Sequence, residues 1–355
     1  MGVAKKIVVV GSGIIGASIA WHLAKAGAAV TVISESAVGG TATPCSFAWI
    51  NASWGNPEAY VQLRMRSMTE WSRLATEVPG LPLAWCGGLC FDMPQAELET
   101  YAAQHNSWGY GIREVNAAEA ARIEPNLTEP PAFALHVATE GAAEPVALAK
   151  ALLADAARHG AKIIAGNVEA LKLANDKIVG VETAAGPLLA DEVVIAAGAG
   201  APALLATAGV ELPLETPPGL VVHSRPHAPL LNGIVLSEPL HMRQTAAGRV
   251  IAGTDFGGTD PGFEPEETAR RVFSQLKALL RNADQLELDF FTVGYRPTPI
   301  DGFPAIGRAV GLDGLYVAVM HSGVTLAPAI GLFAAREILE GERDALLTPY
   351  GLDRF

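Results

Sequence analysis

Gly11, Gly13 and Gly16, in the run Gly11-Ser12-Gly13-Ile14-Ile15-Gly16, stand where a tight turn, a close backbone approach to a pyrophosphate and close helix packing each require a missing side chain. Ile14 and Ile15 open the helix that follows, whose first amides and positive dipole end suit a phosphate. Glu35 comes 24 residues after Gly11, at the end of the next apolar run, where ribose hydroxyls need an acceptor, and Ser36 stands beside it. An acid there, with no base next to it, argues against a 2′-phosphate. The chemistry is dinucleotide binding, and the glycine string alone leaves NAD and FAD open. No second glycine fingerprint follows, and no redox cysteine pair lies in the loop after Glu35. A single nucleotide site that must do all the chemistry points to a bound flavin.

These residues need a strand, a turn, a helix and a second strand to position them. Lys6 to Val10 is a short β-branched run, an alanine-rich helical stretch reaches Lys25 and Gly27, and Ala29 to Ile33 reads as a buried parallel strand. This is a βαβ unit. Gly39 to Pro57 is too irregular for a helix and too long for a turn, so it reads as a functional loop. Helical spacing returns over Tyr60 to Thr76, with Leu63, Met65, Trp71 and Leu74 inward, and again over Glu97 to Tyr110, Ala117 to Ile123 and Val146 to His159. Ala161 to Ala165 and Glu192 to Ala197 are expected strands, and Val168 to Leu173 pairs with Ile178 to Thr183 as a hairpin around Asn175-Asp176. Leu214 to Phe291 is mostly strand-like, interrupted by a helix from Glu266 to Arg281; Leu315 to Val319 is a strand and Ala327 to Leu339 a helix. The expected class is α/β with an α+β substrate part. A Rossmann-like nucleotide-binding domain is assembled from 1–80, 140–213 and 292–355, and a discontinuous, β-rich substrate-binding domain from 81–139 and 214–291.

Composition narrows the partners. Half of the 355 residues are hydrophobic and 17% are charged, which supports a packed core rather than long disorder. Twenty-five basic against 37 acidic residues give a net charge of −12, which repels phosphate backbones, so nucleic acid is not an expected partner. Cys45, Cys86 and Cys90 cannot all pair within one chain, and the Cys86-to-Cys90 spacing lacks a second ligand pair, so no metal is expected. The apolar run in Met1 to Val10 is too short for a signal segment or a membrane span, and a cytoplasmic protein is the expectation.

Two C-terminal motifs carry a resemblance. Gly294-Tyr295-Arg296-Pro297-Thr298-Pro299-Ile300-Asp301-Gly302-Phe303-Pro304-Ala305-Ile306-Gly307 and His321-Ser322-Gly323-Val324-Thr325-Leu326-Ala327-Pro328-Ala329-Ile330-Gly331 follow the N-terminal fingerprint, the Gly39-Gly40-Thr41 loop, Glu144-Pro145 and Val193-Val194-Ile195-Ala196-Ala197-Gly198 in order. The chain thereby resembles the FAD-dependent D-amino acid oxidase superfamily, most of all the branch with glycine oxidase, sarcosine oxidase and amino acid dehydrogenases. The resemblance implies that Gly11 to Gly16 hold the FAD pyrophosphate and Glu35 the adenosine ribose. Gly40, Thr41, Thr43 and Ser46, with the backbone of Ala48 and Trp49, would line the phosphate and isoalloxazine side. Val168 would meet the adenine, and Ala197 and Gly198 would close the nucleotide pocket. Ser322, Gly323, Val324, Thr325 and Leu326 precede a helix, and the amides of Gly323 to Leu326 can stabilise negative charge on the reduced flavin ring. No cysteine stands in the C-terminal motifs, so the FAD is expected to be noncovalent.

On the substrate side the resemblance makes Arg296 the carboxylate-binding residue, a task that suits a bidentate guanidinium; an interdomain salt bridge is the alternative. His241 aligns approximately with a strand-borne tyrosine of glycine oxidases and shares a strand face with Arg243, either as substrate ceiling or as a solvated sheet face. His321 could act on substrate or O₂ access, or be structural. Met320-His321-Ser322 stands where glycine oxidase relatives carry another arginine, which weakens the case for the smallest α-amino acids. The expected reaction is oxidation of the C–N bond of an amino acid or secondary amine by hydride transfer to flavin N5, giving an imine that hydrolyses. O₂ or a quinone or protein would be the electron acceptor, and the chain could be part of an oligomer. A 2-hydroxy acid oxidoreductase and an FAD-binding subunit of a larger dehydrogenase complex stay open.

Overall fold

The structure, a computed structural model, describes residues 4–35, 39–53, 55–255 and 257–355; Ser36 lies outside the described residues. The β-branched run forms the strand Lys6–Val10, whose Ile7, Val8, Val9 and Val10 are all buried because helices or a second sheet cover both faces. It lies inside a six-stranded sheet of order Ala305–Arg308, Leu315–Val319, Glu192–Ile195, Lys6–Val10, Ala29–Ser34, Lys162–Ala165. All neighbours are parallel except Ala305–Arg308, which returns antiparallel against Leu315–Val319. The helices Ile14–Lys25, Pro145–Arg158 and Gly323–Glu340 pack on one face. The hairpin Val168–Ala174 with Lys177–Thr183 covers the other, turning through Asn175 and Asp176, both left-handed as a two-residue turn requires.

A second sheet of eight strands runs Leu288–Tyr295, Pro218–Ser224, Val250–Gly253, His241–Gln244, Ile234–Ser237, Gly88–Phe91, Phe133–Val137, Arg113–Asn116. It is antiparallel except where Ile234–Ser237 runs parallel to Gly88–Phe91. The fold is therefore α/β, with a parallel Rossmann-like sheet and a mostly antiparallel one. Two details differ from the sequence reading. A boundary at 291/292 cuts the strand Leu288–Tyr295, whose pairing with Pro218–Ser224 continues through Thr292, Val293 and Gly294 to Tyr295. The C-terminal helix begins at Gly323, not Ala327, and carries Pro328 inside it. Pro328 has no amide to give the carbonyl of Val324; that oxygen accepts the Trp71 indole N–H instead, at 2.9 Å, so the proline is tolerated. Among the described residues no helix is long and apolar enough to cross a membrane.

Candidate active site

A cavity of about 1020 Å³ runs from the ends of the parallel strands to the edge of the second sheet. Its far end is lined by Glu35, Gly166 and Val168, and its middle by Gly11, Gly13, Gly40, Thr41, Thr43, Ala197 and Gly198. The chain can pass here only without side chains: Gly11 has φ +111°, and a Cβ on it would lie 2.8 Å from the Ala196 carbonyl carbon. Gly16 does not line the cavity. Its role is to let the first helix approach the turn, since a Cβ there would fall on the Gly11 carbonyl. The Thr43 hydroxyl accepts from the Ile14 amide at 3.2 Å, so the loop after Glu35 caps the same helix end that faces the cavity.

The other end is built by three remote segments. Ser46, Ala48 and Trp49 line one wall; Ala48 sits at φ 59°, a strained conformation for a residue with a Cβ, and its amide is held by Ser46 Oγ at 3.0 Å. The helix Gly323–Glu340 points its N-terminus at the cavity. Its first intrahelical bond is Leu326 N–H to the Ser322 carbonyl, so the amides of Gly323, Val324 and Thr325 precede the ladder. Leu326 itself is buried behind that turn and does not line the cavity. The third wall is the long helix Glu58–Glu77. Its stripe Tyr60, Arg64, Ser67 and Trp71 reaches the start of the C-terminal helix: Arg64 donates to Ser322 Oγ at 3.2 Å, Ser67 to the Thr325 carbonyl at 2.7 Å and Trp71 to that of Val324.

Arg296 and His321 line this end. The Arg296 guanidinium lies against Gly257, where a Cβ would fall on it, and among the described residues its buried Nε has no hydrogen-bond partner. Burial pulls the guanidinium below its ordinary range, with the Asp255 charge opposing. Among the described residues Arg296 has no ion pair, so the interdomain salt bridge does not form. Burial, then the charges of Arg296 and Arg64, hold His321 down at about 4, so its imidazole is neutral at neutral pH. His321→Gln is accordingly expected to leave the limbs of the pH–rate profile between about pH 5 and 8 where they are, because no proton leaves that ring there. A limb that vanishes in the variant would contradict this.

His241 and Arg243 do share a strand face, but it is neither solvated nor part of the cavity lining. His241 is buried with Nε2 3.0 Å from Asp92 Oδ2, and Arg243 donates to the carbonyls of Phe47 at 2.6 Å and Ala143 at 3.1 Å and reaches Glu144 at 3.3 Å. Arg243 thus clamps the loop that carries Ala48 and Trp49. Tyr295 is exposed and walls nothing. Cys45, by contrast, does line the cavity; burial pushes its thiol up, which disfavours the nucleophilic thiolate.

Arg64, Asn51, Ser53, Tyr60 and Glu140 are the groups that sequence reasoning missed. Glu140 sits behind the wall and accepts from Trp49 Nε1 at 2.9 Å, Ser53 Oγ at 3.3 Å and Tyr110. Burial pushes its carboxyl up to about 7, against those hydrogen bonds and the Arg64 charge. Its ordinary value is 4.5, so between about pH 4.5 and 7 the folded chain holds more protons than the unfolded one, and stability falls as pH rises. The shift corresponds to roughly 3 kcal/mol. Glu140→Gln removes that slope: the variant-minus-wild-type unfolding free energy of the holoenzyme, measured in urea at fixed flavin concentration, is expected to climb by up to roughly 3 kcal/mol from pH 4.5 to 8. Parallel curves would show that Glu140 does not titrate there.

Residues 6–337 match the family model described as FAD dependent oxidoreductase, abbreviated DAO. The chain belongs to the DAO family of FAD-dependent oxidoreductases. Among curated members it is similar to glycine oxidase of Geobacillus kaustophilus (strain HTA426), 28% identical over 98% of this chain and 96% of that protein, and to an uncharacterised oxidoreductase of Bacillus subtilis (strain 168), 26% identical over 98% of each. Among solved structures it is similar to L-proline dehydrogenase from P. horikoshii, with a TM-score of 0.89 and 28% identity, covering 100% of this chain and 98% of that one. It is an FAD-dependent enzyme of the amino acid oxidase or dehydrogenase kind. The cavity fits the family's cofactor: glycines where a pyrophosphate needs bare backbone, an acid at the ribose end, and unsatisfied helix amides at the other.

Proposed function

We propose that this DAO-family enzyme oxidises the C–N bond of an amino acid or a secondary amine, the carboxylate being held by Arg296. The observation that carries this reading is Arg296 itself, a partly buried guanidinium without an ion pair among the described residues, lining the cavity end walled by Trp49, His321 and the helix N-terminus. A fixed fork of donors there suits a carboxylate in bidentate fashion and orients the neighbouring carbon. FAD, held noncovalently along Gly11, Gly13 and the first amides of the helix Gly323–Glu340, would supply the electron sink, a two-electron hydride acceptor. The substrate loses that hydride from carbon and a proton from nitrogen and leaves as an imine, which water hydrolyses. The rest is positioning. Neutral His321 adds no charge to repel an ammonium substrate, the first amides of the helix Gly323–Glu340 direct positive potential into the cavity, and Trp49, fixed by Glu140, excludes water from one wall. Reaction then needs the neutral amine, so the rate should rise with pH as the substrate nitrogen loses its proton.

The reading is tested on purified holoenzyme. The flavin band is followed without oxygen while D-, L- and N-methyl amino acids and cyclic imino acids are added; bleaching by one class is expected, and repetition in air separates O₂ from a quinone or protein acceptor. Bleaching by 2-hydroxy acids alone would overturn the amine reading. Acid precipitation should release the flavin into the supernatant, and yellow precipitate would overturn noncovalent binding.

A further inference from the structure

Two guanidinium groups, not one, line the reaction end, and among the described residues neither forms an ion pair. Arg64 is 6% exposed, so its charge is almost fully removed from water. Its Nε donates to the Asn51 carbonyl at 3.0 Å, one Nη to Asn51 Oδ1 at 2.6 Å and the other to Ser322 Oγ at 3.2 Å. Those partners are neutral, and none of them balances the charge. If Arg64 only tied the helix to the loop, an uncharged side chain would do so without burying a charge, and a buried charge is ordinarily paired. The Tyr60 ring, 5.3 Å from the guanidinium carbon, offsets part of that cost, and its own buried hydroxyl lines the cavity beside Arg64 and Ser322. Glu140 feels the Arg64 charge, but its carboxyl is taken by Trp49, Ser53 and Tyr110 and makes no ion pair.

The two cations act on one place. Both charges bear on His321, whose Nδ1 lies 3.1 Å from the same Ser322 Oγ that Arg64 meets. Asp255 bears on Arg296 and Glu140 on Arg64, but neither closes an ion pair among the described residues; a neutral imidazole pairs with neither cation, and one substrate carboxylate pairs with only one. We infer that the substrate carries a second anionic group: an amino or imino dicarboxylate, with one carboxylate on Arg296 and the other on Arg64 and the Tyr60 hydroxyl. This rests on the amine-oxidising reading of the site.

The test compares substrates that share a nitrogen type: alanine against aspartate and glutamate in both enantiomers, and N-methylalanine against N-methylaspartate. The dicarboxylic member of a pair is expected to show a kcat/KM about 100-fold higher, and Arg64→Gln to shrink that ratio at least about tenfold, with Arg64→Lys between. Equal rates within each pair, or a ratio unmoved in Arg64→Gln, overturns the inference while leaving amine oxidation standing. A second readout needs no turnover and no variant: malonate and acetate are titrated against the flavin spectrum of the wild-type holoenzyme. Malonate binding about 100-fold tighter supports two anion points, and equal affinities overturn them. If no amine bleaches the flavin, the amine reading fails, and the malonate titration alone decides the two-anion site.

Discussion

Arg296→Ala is expected to lower kcat/KM for the best amine substrate by about a thousandfold, measured per bound flavin. Removing one partner of a desolvated, charge-assisted pair costs about 2–5 kcal/mol, and each 1.4 kcal/mol is tenfold. The upper part of that range applies because the guanidinium is already partly desolvated in the free enzyme, and the Asp255 charge that opposes this forms no ion pair with it among the described residues. Most of the loss should fall on KM; a share in kcat follows because a loosely held carboxylate no longer aims the adjacent C–H bond. Arg296→Lys keeps the charge but not the fork and is expected to recover part of the activity. Gly257→Ala supplies an independent check, since its Cβ would displace the same guanidinium without altering its chemistry. An Arg296→Ala enzyme within threefold of wild type would remove Arg296 from the substrate site.

What could be read in the sequence follows from how local each signal is. The phosphate turn is legible because every required absence of a side chain lies within six residues, and the turn Asn175-Asp176 is legible because its left-handed backbone selects those residue types. Arg64 is a different case. The stripe Tyr60, Arg64, Ser67, Trp71 is visible at helical spacing, but periodicity reads an arginine as solvent-facing, and it is the packing against Asn51 and the start of the C-terminal helix that turns it inward. Met65, expected inward, is only half-buried, and Met68 is buried instead. The alternation of His241, Met242 and Arg243 gives their faces correctly without saying what each face meets. Asp92, 149 residues earlier, supplies that answer for His241, and Phe47 and Ala143 supply it for Arg243. Glu140 belongs to the same class, since its partners Trp49, Ser53 and Tyr110 come from two segments remote from it and no spacing in the chain announces them.

Gly11→Ala is expected to yield a protein that no longer retains FAD. Two separate penalties meet at this residue. At φ +111° a side chain is strained by about 1–3 kcal/mol, and the new Cβ would be forced against the backbone of Ala196 and Ala197, which follow the neighbouring parallel strand Glu192–Ile195 and cannot move like a side-chain tip. Overpacking against backbone adds about 1–3 kcal/mol more, and the shift that relieves it moves the Gly11 turn relative to Gly198, pulling apart two residues that line the same cavity. Gly27→Ala separates the two causes: it too has positive φ, at +89°, but nothing lies within 4 Å of its Cβ. That variant should lose stability of about 1–3 kcal/mol in urea while keeping its flavin, because strain alone does not displace the turn. The ratio of flavin absorbance to protein after gel filtration reads the difference directly. A yellow, fully loaded Gly11→Ala protein would mean that the turn can spread without losing its ligand, and the tight approach at Gly11 would then serve only the packing of the strand Lys6–Val10 against Glu192–Ile195.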